Sequence, residues 1–254
     1  MNKMLIMAML SLQVASGSSS LISGVASPEA EKFTMENIMA QEIEETKEGW
    51  TTARVNIRTD PNTSSIVLGI LEFNDRIEYV DFNDEWVKIS YNKDIDAYIY
   101  KKYISDVECE YETYTIPSNE GFKSYMGYKA ITATGSTQYK IQNEYAYTGK
   151  YGIRQIGSRY CIGLGTHYGA ELGQYVDLKL ENGVIIKCVL SEFKADRDTD
   201  KNNIFTPNGC CSEFIVDTPQ LNKKAKGAGD ISVCNESWNS PVTEIIIYDK
   251  SIFE

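Results

Sequence analysis

Three aspartates at alternate positions are the densest group of reactive side chains in the sequence. Residues 194–203 read KADRDTDKNN, so that Asp196, Asp198 and Asp200 are separated only by Arg197 and Thr199. Carboxylates this close repel one another unless water, a cation or a proton relieves the repulsion. The spacing therefore allows a solvated acidic loop, a cation site or an acid catalyst.

The three aspartates do not belong to an EF-hand calcium-binding loop. An EF-hand loop that begins at Asp196 needs Gly at its sixth position and Glu at its twelfth. Those positions hold Lys201 and Pro207, which excludes an EF-hand. The aspartates, with the side-chain oxygens of Asn202 and Asn203, leave an irregular cation site open, and no metal is assigned.

The acid interpretation requires carboxyls that share a cleft between apolar strands. The apolar strand predicted around Val184–Leu190 precedes Asp198, and a second predicted strand, Phe214–Val216, lies between Glu213 and Asp217. A carboxyl near apolar walls and other carboxylates has a raised pKa. It then holds a proton near neutral pH and can donate it to a glycosidic oxygen.

A nucleophilic cysteine or serine is the competing chemistry, and the histidine content weighs against it. Both mechanisms normally need a histidine base. The sequence has one histidine, His167, which follows GLGT in a predicted loop, and it has no GxSxG motif. We therefore interpret His167 as a loop residue.

The sequence leaves open whether the cysteines form disulfides or remain free thiols. Six are present, without a CxxC pair, which argues against a zinc site of paired cysteines. An exported chain could form three disulfides, and buried free thiols are the alternative. A bond between the adjacent Cys210 and Cys211 would strain the peptide between them, so any pairing is expected elsewhere, with Cys188 or Cys234 as candidates.

Composition excludes several classes of partner. The chain has 254 residues, a net charge of −11 and a pI near 4.8. Nucleic acids and anionic membrane surfaces select basic patches, so neither is predicted as a partner. The 17 tyrosines favour sheets with half-exposed faces.

The N-terminus predicts export. Lys3 precedes the apolar run Met4–Leu12, and Gly24 and Ala26 place small residues for cleavage after Ala26. The run is too short to cross a bilayer, so no membrane span is predicted. Residues 1–26 are predicted as a signal peptide and the acid-rich residues 27–49 as a linker, which makes the protein secreted or cell-wall associated.

Residues 50–106 predict a small β-barrel. Short runs that alternate apolar and polar residues are separated by turn residues such as Asn74-Asp75. The segments VNIR, PNTSSIVLG, WVKI and YIYKKYI, in this order, resemble the bacterial SH3-like domain family, with Asn74 and Ala97-Tyr98 as departures from Gly and Gly-Trp. The resemblance implies attachment to peptidoglycan or its peptides, with a groove at Trp86 and Tyr98. Burial of Trp86 in the barrel core is the alternative.

Residues 107–127 are predicted as a linker and residues 128–254 as a barrel of about six strands. The order ATG, RYCIGLG, LGQYVDL, ENG, ADRDT and FIVD, over about residues 128–218, is similar to the double-psi β-barrels of the three-aspartate (3D) and rare lipoprotein A families. There are three departures. Gly163-Leu164-Gly165 stands where the 3D family has an aspartate, Asp200-Lys201 replaces its glycines, and the insert KNNIFTPNGCC is longer than expected.

The combined prediction is an all-β chain, a small SH3-like barrel plus a six-stranded double-psi-like β-barrel. The second resemblance implies a lytic transglycosylase that cleaves peptidoglycan glycan strands without a cofactor. Asp198 would be the acid and Asp217 would position it, while Asp196, Asp200 and Glu213 would shape the local field. The alternative is a non-catalytic protein that binds the cell wall or another carbohydrate.

Overall fold

Sixteen β-strands carry the fold of residues 45–254, the part of the chain that the computed structural model describes. Helices within this range are short, such as Thr137–Lys140 and Lys223–Ala228. The predicted all-β class is confirmed. The predicted signal peptide and most of the acidic linker lie outside the described residues. None of the helices in residues 45–254 has the length and apolarity needed to span a membrane.

The first sheet contains seven strands in the order β3-β2-β6-β5-β4-β1-β7. Apolar side chains on alternate positions, such as Val55 and Ile57, point into its core together with Val87, Ala97 and Ile99. The strands are β1 Lys47–Thr51, β2 Val55–Arg58, β3 Val67–Leu71, β4 Arg76–Asp81, β5 Trp86–Tyr91, β6 Ile95–Tyr100 and β7 Ile104–Ser105.

Turn residues of this sheet adopt left-handed backbone conformations. Asn74 has φ 62° and Asn92 has φ 52°. Asparagine tolerates this region better than other residues with a side chain. Asn74 therefore serves at a position where the SH3-like family uses glycine, which gives a physical reason for that departure.

The second sheet contains nine strands, three more than predicted. Seven follow the order β10-β11-β12-β14-β13-β16-β8, and β15 joins β12 to β9. The strands are β8 Tyr111–Thr115, β9 Tyr125–Gly127, β10 Tyr147–Thr148, β11 Arg154–Ile156, β12 Arg159–Leu164, β13 Gln174–Leu180, β14 Ile185–Phe193, β15 Glu213–Val216 and β16 Val242–Ser251. Several of them have only two or three residues, too few to produce a recognisable alternation.

Two of the additional strands lie in the segment predicted as a linker, residues 107–127. β8 pairs with β16, and β9 pairs with β15. Eight residues of the predicted linker therefore belong to strands of the second sheet. Pro117–Gly121 keeps an irregular conformation between the two strands, as its turn residues indicate.

Parallel pairing at the centre of the second sheet positions the candidate site. β12 runs parallel to β14 and antiparallel to β15, and β15 runs parallel to β9. Ile162 faces Leu190, but the next residue of β12, Gly163, faces Glu192, so Ser191 forms a bulge. A bulge re-aims the side chains that follow it. Here it places Glu192 opposite Gly163.

An aromatic junction joins the first sheet to the second. Phe73, between β3 and β4, is 3% exposed and stacks on Tyr175 with ring centroids 4.5 Å apart. The Arg159 guanidinium lies 5.6 Å from the centre of the Phe73 ring and forms a buried ion pair of 2.7 Å with Asp177. Tyr248 donates a hydrogen bond to the same carboxylate. Phe73 is thus buried among side chains of the second sheet.

Candidate active site

Two glutamates flank Gly163 where three strands meet. Gly163 faces Glu192 of β14 on one side and Glu213 of β15 on the other. A Cβ atom at position 163 would lie 2.6 Å from Oε2 of Glu192, closer than real Cβ contacts allow. The missing side chain of Gly163 therefore leaves the space that the Glu192 carboxyl occupies.

Lys194 completes this acid cluster, which we define as Glu192, Lys194 and Glu213. The Lys194 ammonium forms an ion pair with Glu213 and lies 3.8 Å from Oε2 of Glu192. Ser124 donates a hydrogen bond of 3.1 Å to Oε1 of Glu213. The three side chains of the cluster are only 12–14% exposed. Two carboxyls thus share one buried cation, and Glu213 has the closer contact.

The carboxyl of Glu192 is the unusual group of the cluster. Burial raises its pKa from 4.5 to about 7, Lys194 opposes the rise, and the charges of Glu213 and Asp198 add to it. Its buried Oε2 atom has no hydrogen-bond partner among the described residues. A carboxyl with this pKa holds a proton in a large fraction of molecules at neutral pH, which is what a general acid requires.

The three aspartates of KADRDTDKNN have different partners in the structure. Asp196 accepts a hydrogen bond from the Thr166 hydroxyl, and Asp198 is 59% exposed. Asp200 accepts hydrogen bonds from the backbone amides of Ile204 and Phe205, and the first of these is the main cause of its lowered pKa. Exposure to solvent and separate hydrogen bonds therefore relieve the repulsion. Across residues 45–254, the structure brings together no group of three or more His, Cys, Asp or Glu side chains that could hold a metal ion.

Asp217 lies in a different set of contacts. It is 7% exposed and accepts hydrogen bonds from Thr148 and Gln220, at 3.1 and 2.8 Å. Arg154 donates to the same Thr148 hydroxyl. These contacts hold the end of β15 against the segment before β11. Among the predicted site residues, the structure places Glu213 in the acid cluster, and the charge of Asp198 acts on Glu192.

The cysteines have the character of structural thiols. All six, Cys109, Cys161, Cys188, Cys210, Cys211 and Cys234, are free in the structure, so the disulfide alternative gains no support. Burial raises the pKa of Cys161 to about 11 and that of Cys211 to about 12, whereas a nucleophilic thiol needs a lowered pKa. His167 makes ring contacts with Tyr114 and Tyr168.

The groove observed in the first sheet is lined by Trp86 but not by Tyr98, the second residue predicted for it. Trp86 is 5% exposed and contacts Tyr100, whereas Tyr98 packs edge-on against Phe82. Beside Trp86 lies a cavity of about 550 Å³, and Tyr98 is not part of its lining. The cavity carries two tyrosines and three cations, namely Tyr100, Tyr103, Arg54, Arg58 and Lys102. Trp86 is thus mostly core and still contributes to the wall of a groove.

Sequence reasoning missed Glu192 as a site residue. The signal was present, since Glu192 follows the apolar run of β14 just as Glu213 precedes that of β15. The bulge at Ser191 that aligns it with Gly163 could not be predicted, because bulges depend on pairing between distant strands.

Comparisons with known proteins bear on the first sheet. Residues 53–105 match the bacterial SH3 domain family, which confirms that part of the sequence prediction. No curated protein matches the chain.

Three solved structures show partial similarity. They are "The crystal structure of Ly7917" (27% identity, 22% of this chain, 27% of that chain, TM-score 0.20), NlpC2 from Trichomonas vaginalis (16%, 39%, 40%, 0.22) and NlpC1 from Trichomonas vaginalis (13%, 57%, 56%, 0.22). The chain spans about a quarter to just over half of their lengths. Similarity this low adds nothing about the second sheet. The chain thus carries a bacterial SH3 domain at residues 53–105, which indicates a cell-wall-associated protein.

Proposed function

We propose that this protein is exported and cleaves the glycan strands of peptidoglycan, with Glu192 as the general acid and the SH3 domain as its wall anchor. The observation that carries the proposal is the state of the Glu192 carboxyl. It is 13% exposed, has one oxygen without a hydrogen-bond partner among residues 45–254, and has a pKa of about 7. Such a group can donate a proton at the pH of the wall.

The reaction is that of a lytic transglycosylase, as the double-psi resemblance implies. Protonated Glu192 donates its proton to the bridging oxygen, and the bond from that oxygen to the anomeric carbon breaks. A hydroxyl of the same sugar attacks the anomeric carbon to form an anhydro ring. The ionised Glu192 then accepts the proton of that hydroxyl, which restores the starting state and requires no nucleophilic side chain.

The neighbouring charges favour this cycle. Lys194 is held mainly by Glu213, so it limits the pKa of Glu192 without abolishing the protonated state. It also lies close enough to stabilise the carboxylate that remains after proton transfer. Asp198, being 59% exposed, lacks the desolvation that Glu192 has, and we assign to it a field or substrate-contact role.

Topology supports the double-psi interpretation. The two parallel pairs, β12 with β14 and β15 with β9, are linked by the antiparallel pair β12–β15. The 3D family has an aspartate in its middle strand, where this chain has Gly163-Leu164-Gly165. In this chain Glu192 and Glu213 lie on either side of Gly163, and we assign the acid function to Glu192 on the neighbouring strand.

The groove of the SH3 domain supports the anchoring role. Tyrosine rings and three cations line it, in a protein with a net charge of −11. Carboxylates of wall peptides suit such a lining, since Arg and Lys bind carboxylates by charge-assisted hydrogen bonds. This groove also favours the second candidate function, a wall-binding protein without catalysis.

Purified protein incubated with peptidoglycan tests the proposal. We expect anhydro-sugar products from the wild type and a loss of at least about 100-fold in their rate for Glu192→Gln. Glu181→Gln, at an exposed glutamate in a turn, is the matched control. Gly163→Ala, whose new Cβ displaces the Glu192 carboxyl, should lower the rate while the protein stays folded.

The alternatives give different results. Full turnover by Glu192→Gln would refute the assignment of the acid, and a loss confined to Asp198→Asn would return that role to Asp198. Retention on the wall without released fragments would establish the binding function instead.

A further inference from the structure

A cleft of about 640 Å³ is formed in part by the long insert, and none of the acid-cluster residues lines it. It runs between residues 118–122, which precede β9, and residues 199–210, the long insert noted in the sequence. We call it the insert cleft. Two aromatic rings, Phe122 and Phe205, form part of its wall, and Ser118, Asn119, Thr199 and Asn208 provide neutral polar groups.

The charged residues that line the insert cleft are all acidic, which disfavours anionic ligands. Its lining contains no Lys or Arg, and its carboxylates are those of Glu120 and Asp200. An anionic polymer would meet like charges there and no compensating cation, which costs free energy. The lining therefore suits a ligand that is neutral and rich in hydrogen-bonding groups.

Internal hydrogen bonds hold the insert in shape before any ligand binds. Asp200 accepts hydrogen bonds from the amides of Ile204 and Phe205, and the single proton of the Thr206 hydroxyl is shared between Asn208 Oδ1 and the Cys210 carbonyl. A preorganised loop loses little conformational entropy on binding. The long insert is thus held by its own hydrogen bonds in the conformation that forms one wall of the cleft.

Asn208 still has unused hydrogen-bonding capacity. Its Oδ1 atom accepts hydrogen bonds from the Thr206 hydroxyl and from the Cys210 amide, whereas its Nδ2 group donates to no acceptor among residues 45–254. An amide donor at the edge of a cleft with two aromatic rings matches a sugar, which offers hydroxyl or acetamido oxygens and apolar C–H faces.

A hydrogen-bond path through the buried Ser124 links the wall of the insert cleft to the acid cluster. The Ser124 amide donates to Cys210 Sγ at 3.3 Å, in the wall of the cleft, and the Ser124 hydroxyl donates to Glu213 at 3.1 Å. Cys210 also donates to the carbonyl of Phe122 at 3.4 Å. This path fixes one wall of the cleft relative to Glu213, the neighbour of Glu192 in the acid cluster.

We propose that the insert cleft is a saccharide subsite that binds a neutral, acetamido- and hydroxyl-bearing oligosaccharide and rejects polyanions. A role of the cleft in presenting a glycan strand to Glu192 rests on the proposed function, whereas the binding of the oligosaccharide does not depend on it. The insert thus acts as a specificity element for neutral glycan backbones over anionic polymers.

Calorimetric titration of Glu192→Gln, which keeps the bound sugar intact, tests the proposal with two probes. One is the neutral tetramer of N-acetylglucosamine and the other is the anionic tetramer of galacturonic acid. We expect binding of the neutral tetramer alone. Phe205→Ala and Asn208→Asp should each weaken it by about tenfold or more. Asn208→Asp removes the amide donor but keeps the Oδ1 acceptor that holds the loop. It therefore still tests the proposal if Phe205→Ala disturbs the fold of the insert.

Phe253→Ala, at a phenylalanine that is 45% exposed and outside the cleft, is the matched control and should bind normally. Equal affinity for the two tetramers, normal binding by both cleft variants, or no binding of the neutral tetramer at about 10 mM would each overturn the proposal. Failure of the proposed function looks different, because the wild type would then bind the tetramer with the same dependence on Phe205 and release no anhydro-sugars from peptidoglycan.

Discussion

Replacing Glu192 with glutamine should remove a pH-dependent part of the free energy of unfolding. Folding raises the pKa of this carboxyl from 4.5 to about 7 by burying it. One pKa unit corresponds to about 1.4 kcal/mol, so the protonated form is favoured in the folded state by about 3 kcal/mol.

The direction follows from proton binding. Between about pH 4.5 and 7 the folded state binds more protons at Glu192 than the unfolded state does, so stability falls as pH rises. The favourable contribution is complete below the unfolded pKa and is lost as pH rises through the folded pKa. Glutamine cannot ionise, so its side chain makes no such contribution.

Urea unfolding of the two proteins at several pH values is the appropriate assay. The free energy of unfolding of Glu192→Gln minus that of the wild type should increase by about 3 kcal/mol from about pH 4 to pH 8. Glu181→Gln, at an exposed position, should give a flat difference. A flat difference for Glu192→Gln as well would show that Glu192 is ionised in the ordinary range, and the proposed acid would be lost.

Three further predictions concern the framework of the site and the cation interpretation. Phe73→Ala should lower the free energy of unfolding by about 3–5 kcal/mol in chemical denaturation, because it empties a buried aromatic contact between the sheets. Phe82→Ala, at a ring that is 48% exposed, should cost much less. Asp200→Ala should lower the melting temperature, because two backbone amides of the insert lose their acceptor. EDTA should leave the wild-type melting temperature unchanged, and a decrease would restore the cation interpretation of KADRDTDKNN.

The first sheet could be predicted because its signals are local. Alternation at Val55 and Ile57 marks β2, and asparagines such as Asn74 and Asn92 mark turns that need left-handed backbone. Each signal spans only a few residues, and their order agrees with a family that the comparison confirms. Such features need no knowledge of distant pairing.

The candidate site could be predicted only in part, because distant pairing decides it. The apolar runs beside Glu213 and Asp198 indicate both residues as site candidates. Glu192 depends on the bulge at Ser191 and on parallel pairing with β12, which local patterns do not reveal.

The second sheet also buries polar groups that sequence alone places at the surface. Lys123 is 2% exposed, and its ammonium donates to the carbonyls of Gly121, Trp238 and Ser240. Lysine is almost never fully buried without partners, so a lone lysine in a polar segment gives no hint of this arrangement. Contacts between residues more than a hundred positions apart create it.

The buried Phe73 determines how far an anchored molecule could reach. A flexible tether would let a catalytic unit sweep a volume around its attachment point. Phe73 packs against the rings of Tyr175 and Tyr248, and this buried contact opposes motion of the SH3 groove relative to the acid cluster. Under the proposed function, the distance between the wall group bound by the SH3 domain and the glycosidic bond that is cleaved would then vary little.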